Sequence, residues 1–165
     1  MRTIRYFASI AMVCVLSGLA LGQSVHNMAG TWKLVAVKTT TLDGKVNPYA
    51  FGKNPKGFMN LTADGRMMLM MCDDGRKPLS VVDRVSAPEA ERAEAFATFV
   101  AYAGRYTLTG DLLVFHLEIA SIQNWVNGDQ KRTLTFDGNR VTLRTLTTVK
   151  GGVQQHIETT WEKLD

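Results

Sequence analysis

Four residues of this 165-residue chain, His116, Glu118, Gln130 and Arg132, have the types and spacing for binding or proton-transfer chemistry. They alternate with other residues on two stretches, 112–120 and 130–136, joined by a loop centred near Asn124. Paired as a symmetric antiparallel hairpin, Leu112 faces Phe136, Val114 faces Leu134, His116 faces Arg132 and Glu118 faces Gln130. That face is apolar at one end and polar at the other. A two-residue turn at Asp137-Gly138 extends it, placing Val141 beside Leu134, Leu143 beside Arg132 and Thr145 beside Gln130. The expectation is a cavity with apolar walls and a polar cluster toward the Trp125 end, the usual make-up of a small-molecule site. Tyr102, Tyr106 and Trp125 add aromatic surface to the candidate ligand-binding set.

The chemistry open to this cluster is limited. His116 as a base with Glu118 orienting it is a possible proton-transfer pair, but no nucleophile or oxyanion motif accompanies them. A non-catalytic binding module is therefore the leading reading, with an isomerase- or cyclase-like enzyme using His116 as the alternative. The plainer reading is a structural network in which charges inside the protein satisfy one another. The opposite face sets Leu113, Phe115, Leu117 and Ile119 against Thr135, Thr133, Lys131 and Asp129 and reads as exterior. A one-residue slip would exchange the two faces. The turn Thr109-Gly110-Asp111 leaves this open: a three-residue loop puts Tyr106 and Leu108 on the cavity side, a two-residue loop beside Phe115.

The elements that must position these residues are short strands punctuated by Gly and Asp turns. The patterning predicts strands at 31–38, 58–62, 66–71, 105–108, 112–120, 130–136, 140–147 and 154–163. Ala63-Asp64-Gly65 between two apolar runs is a strong hairpin signal. Ser86-Ala87-Pro88-Glu89 has capping-box spacing and predicts a helix over 90–102, with Phe96, Phe99, Val100 and Ala103 on one stripe and Gly104 at its end. Roughly eight strands and one inserted α-helix point to an all-β, antiparallel up-and-down barrel, which leaves no sheet edge exposed.

The N-terminus predicts the compartment. Arg2 and Arg5, the apolar run from Tyr6 to Leu21 and Ala20-Leu21-Gly22 read as a secretory signal peptide over 1–22, ahead of one domain at 23–165. The chain is then secreted or periplasmic, with no membrane span once the signal is cleaved. Loss of Arg2 and Arg5 takes the 19 Lys and Arg to 17 against 15 acidic residues. That balance, with no basic patch interleaved with aromatics, excludes nucleic acid as a partner. The expected partner is a small apolar or amphipathic molecule.

Of Cys14 and Cys72 only the second lies outside the signal, so no internal disulfide forms, and a buried Cys72 is expected. Met59, Met67, Met68, Met70 and Met71 alternate along a hairpin and read as packing residues. No metal site and no cofactor is expected: His26 and His156 are isolated, and Asp73-Asp74-Gly75 lacks calcium-loop spacing.

The ordered series of motifs is also familiar. Gly30-Thr31-Trp32-Lys33-Leu34, Pro48-Tyr49-Ala50-Phe51-Gly52, Pro55-Lys56-Gly57 and Leu61 through Met67 resemble the small lipocalin-like domain family of bacteria and fungi. Ala95-Phe96, Phe99 through Tyr106, His116, Asn124-Trp125, Gly128, Gln130 and Arg132 continue the likeness over essentially the whole mature chain. The resemblance implies a lipocalin-type barrel, with Trp32 of the Gly30-Thr31-Trp32 motif plugging its closed end. The chain departs from the family before Trp125, where Gln123-Asn124 stand in place of an expected proline.

Overall fold

A computed structural model describes residues 28–164. The expected signal peptide lies outside the described residues. Ten strands run β1 (Gly30–Thr41), β2 (Val46–Asn47), β3 (Lys56–Leu61), β4 (Arg66–Cys72), β5 (Phe99–Thr109), β6 (Leu112–Ala120), β7 (Asp129–Asp137), β8 (Arg140–Thr145), β9 (Thr148–Lys150) and β10 (Val153–Lys163). Among the described residues one α-helix, α1 (Glu89–Ala97), interrupts them. Neighbours pair antiparallel in the order β1-β3-β4-β5-β6-β7-β8-β10, and β10 pairs back onto β1, with Leu34 opposite Trp161 and Thr40 opposite His156. The eight long strands therefore close an up-and-down barrel, while β2 and β9 only lengthen its rim.

Local chemistry explains the turns. Two loops share one device, Thr41-Leu42-Asp43-Gly44 and Thr62-Ala63-Asp64-Gly65. In each the Thr hydroxyl donates to the Asp carboxylate and accepts the backbone N–H four residues on, at 3.1 Å from Lys45 and 3.0 Å from Arg66. The glycine supplies the left-handed backbone that completes a three-residue hairpin loop, with φ of 88° at Gly44 and 85° at Gly65. Between β5 and β6 the loop is the two-residue form, with Thr109 opposite Leu112.

The core is lopsided along the barrel axis. Trp32, Met59, Leu61, Met67, Leu113, Phe115, Val141 and Trp161 are all at most 2% exposed and fill the half closed by the β3–β4, β5–β6 and β7–β8 turns. Trp32 lies there with its indole N–H donating to the Met28 carbonyl at 2.9 Å and the Lys163 ammonium 5.5 Å from its ring. The other half, ringed by the longer loops, is hollow.

Four expectations need correction. The helix stops at Ala97, and the residues from Phe99 onward are strand, because Val100-Ala101-Tyr102-Ala103-Gly104 alternates with period two against β4 and β6. No residue of α1 is buried, and Pro88 rather than Ser86 takes its N-cap position, the Ser86 hydroxyl donating instead to the Asp83 carbonyl. The methionines divide by pleat: Met59 and Met67 are buried, whereas Met68 and Met70 stand on the outer face, about half exposed. Cys72, at the end of β4, is half-buried and free.

Candidate ligand-binding site

The hollow half contains a cavity of about 260 Å³ whose walls are mostly apolar. By the usual range for ligand pockets it is small, yet it exceeds by far the room one water needs. Leu69 and Met71 of β4, Val100 and Tyr102 of β5, Leu143 of β8 and Ile157 of β10 form its sides. Each points inward because it falls on the same pleat phase as the buried core below it. Arg132 of β7 enters by the same rule, placed between Leu113 and Thr145 on the neighbouring strands.

Two loops complete the mouth. A 3-10 turn at Gln123–Trp125 folds the β6–β7 connection inward, closed by Trp125 N–H to Ile122 carbonyl (3.0 Å) and Gly128 N–H to Trp125 carbonyl (3.1 Å). Trp125 then stands edge-on to Tyr102, ring centroids 6.1 Å apart, and Tyr102 leans on Phe115 below at 5.9 Å. On the opposite side the carboxylate of Asp74 accepts the Asn54 N–H at 2.8 Å and fixes the loop that carries Phe51 into the cavity wall.

Tyr102 and Arg132 carry the polar character of the chamber. Burial pushes the Tyr102 hydroxyl up from its ordinary value, and the nearby Arg132 guanidinium pulls it back in part. The phenol therefore stays protonated and available as a donor near neutral pH. Arg132 donates to the Lys131 carbonyl at 2.8 Å and makes two long contacts, 3.4 and 3.5 Å, to the Gln130 side-chain oxygen. It also borders a second, more polar cleft of about 250 Å³ shared with Gln130, Lys131 and Thr147.

Of the candidate residues read from the sequence, Tyr102, Trp125 and Arg132 line the cavity and Gln130 lines the adjoining cleft. Tyr106 lies deeper, its hydroxyl donating to the Thr62 carbonyl at 2.9 Å near the closed end. His116 and Glu118 are not in the cavity. The β6–β7 register pairs Leu113 with Arg132 and His116 with Asp129, so Leu113, Phe115 and Leu117 face inward and His116 faces out. On the outer surface His116 Nδ1 meets the Asp129 carboxylate at 2.7 Å and Nε2 meets the Thr107 hydroxyl at 3.1 Å. Glu118 pairs there with Arg66 at 2.7 Å and Arg105 at 3.8 Å. The joint His116–Glu118–Arg132 cluster therefore does not form, and a proton-transfer role for His116 inside the barrel loses its geometry.

The cause is an asymmetric hairpin. β6 runs on past its partners in β7, with Ile119 and Ala120 paired to β5 alone, so the register moves three residues from the symmetric one, while a bulge opposite Gly104 turns both Glu118 and Ile119 outward. Sequence reasoning also missed Phe51, Leu69, Met71, Val100 and Ile157 as wall residues. The alternation of β4, β5 and β10 holds that signal, Leu69, Val100 and Ile157 each lying two residues from a buried neighbour on the same strand.

The lipocalin-like domain family model matches residues 29–164, the whole of the barrel just described. The chain belongs to the lipocalin-like domain family. Among solved structures, this lipocalin-like chain is similar to a lipocalin-like protein from Bacteroides uniformis, at 13% identity and a TM-score of 0.42, over 82% of this chain and 97% of that one. It is similar in the same measure to an uncharacterized protein from Bacteroides eggerthii, at 13% identity and a TM-score of 0.41, over 82% and 98% of the two chains. No curated protein matches. Among the described residues, no helix of the lipocalin-like domain is long and apolar enough to cross a membrane, and no group of three or more His, Cys, Asp or Glu side chains is placed to hold a metal ion.

Proposed function

We propose that this chain is an exported lipocalin-like binding protein that holds a small, mostly apolar molecule with a polar head in the open half of its barrel. The observation that carries this reading is a hollow whose walls are hydrocarbon apart from Arg132, Tyr102 and a few threonines, above a half that is packed solid. Apolar walls favour a ligand by removing its surface from water, and a few fixed polar groups orient it. The signal-like N-terminus supports export.

The test is titration with the neutral fluorescent probe N-phenyl-1-naphthylamine. Saturable binding at one site per chain is expected, with Val100→Trp, which fills the chamber, weakening it by about ten-fold or more at unchanged thermal stability. Equal binding by both proteins would put the site elsewhere and defeat the reading.

A further inference from the structure

Several charges on the outside of this barrel are paired. Arg66 and Arg105 share Glu118, Lys38 and Arg144 share Glu158, and Arg140 holds Glu162. Arg132 stands on the inside and differs from these. It is the one charged residue among those lining the inner chamber, and among the described residues no carboxylate lies within ion-pair distance of it. Asp129, the acid that borders the adjoining cleft, is engaged from outside by His116 at 2.7 Å.

A half-buried guanidinium without a counter-charge offers five donors in a fork that fits a carboxylate edge. One good hydrogen bond to the Lys131 carbonyl, two long contacts to Gln130 and a contact with the Tyr102 hydroxyl still leave part of that fork unused. Beside it the buried Tyr102 hydroxyl is a neutral donor, suited to an anion and unable to neutralise the arginine itself.

Building on the binding function proposed above, we propose that the ligand is a carboxylic acid, its carboxylate held by Arg132 and the Tyr102 hydroxyl and its apolar body lying against Leu69, Met71, Val100 and Ile157. A single-charged head suits a chamber with a single cation. The junction with the polar cleft places that head where Gln130 and Lys131 also border it.

Matched probes separate this from binding in general. Decanoate and decanol differ in the head alone. By calorimetry near neutral pH, decanoate is expected to bind about ten-fold more tightly than decanol, the difference a charge-assisted contact supplies. Arg132→Gln should bring the two within about two-fold of each other, with decanol unaffected. Tyr102→Phe should weaken decanoate alone, by a few-fold.

In the unaltered protein, acidification below about pH 5, where the acid takes up its proton, should weaken decanoate and leave decanol unchanged. This arm stands even if the Arg132 variant fails to fold. Decanol binding as tightly as decanoate, or equal losses for both in Arg132→Gln, would overturn the carboxylate and leave the binding function intact. Binding of neither probe, together with no binding of N-phenyl-1-naphthylamine, would overturn both.

Discussion

Leu112 and Leu113 are adjacent, chemically identical, and on opposite faces of the barrel wall: the first is 36% exposed and the second fully buried. Leu113→Ala should therefore cost about 2–5 kcal/mol and Leu112→Ala under about 1 kcal/mol in urea unfolding. Equal costs would contradict the β6 register. Tyr102 gives a second prediction at this scale. Its folded value is raised, so the unfolded chain loses the phenolic proton first as pH climbs, and the stability it contributes is present below about pH 10 and lost above it. Tyr106, raised by burial and by the Asp64 carboxylate, acts in the same direction. Alkaline unfolding curves for Tyr102→Phe should fall less steeply than those of the unaltered chain, though not become flat. An identical slope would show that Tyr102 is not buried as described.

Strands and turns were far more legible than the helix. Alternating runs and Asp-Gly turns fixed the strand count because each carries its own local reason, period two on a half-buried surface and a left-handed glycine at the loop. The helix was over-extended because Phe96, Phe99 and Val100 have helical spacing, while the competing alternation from Val100 to Gly104 is decided by long-range pairing with β4 and β6. Gly104 shows how tight that pairing is: a Cβ there would lie 2.0 Å from the His116 carbonyl oxygen. Gly104→Ala should cost about 1–3 kcal/mol through displaced backbone at the bulge, and thermal melts showing no loss would contradict the bulge geometry. The exposed helix behaves oppositely. With no buried residue in α1, Phe96→Ala should change stability by less than about 0.5 kcal/mol, and hydrogen exchange in 89–97 should be much faster than in β6 or β10.

At the scale of the molecule, closure and the uneven core are one design. Closure through β1 and β10 leaves the inside surface of eight strands to be filled, and the bulky residues are spent at the Trp32 end, so space remains at the Trp125 end. The sequence shows the barrel and the presence of Arg132 within it, since the β7–β8 ladder, with Leu134 opposite Leu143 and Arg132 opposite Thr145, lies two residues from the expected register and so keeps its faces. It did not show the place of His116, because an odd shift across an irregular loop exchanges faces, and the unbroken apolar series Leu113-Phe115-Leu117 was the signal that outranked it. The account also leaves Met68, Met70 and Ile119 as an apolar patch on the outer wall, a rival site for any greasy probe. A crystal structure with N-phenyl-1-naphthylamine soaked in decides between them. The naphthyl ring is expected inside the chamber, between Tyr102, Leu143 and Ile157. Density for the ring only against Met68, Met70 and Ile119 would contradict it.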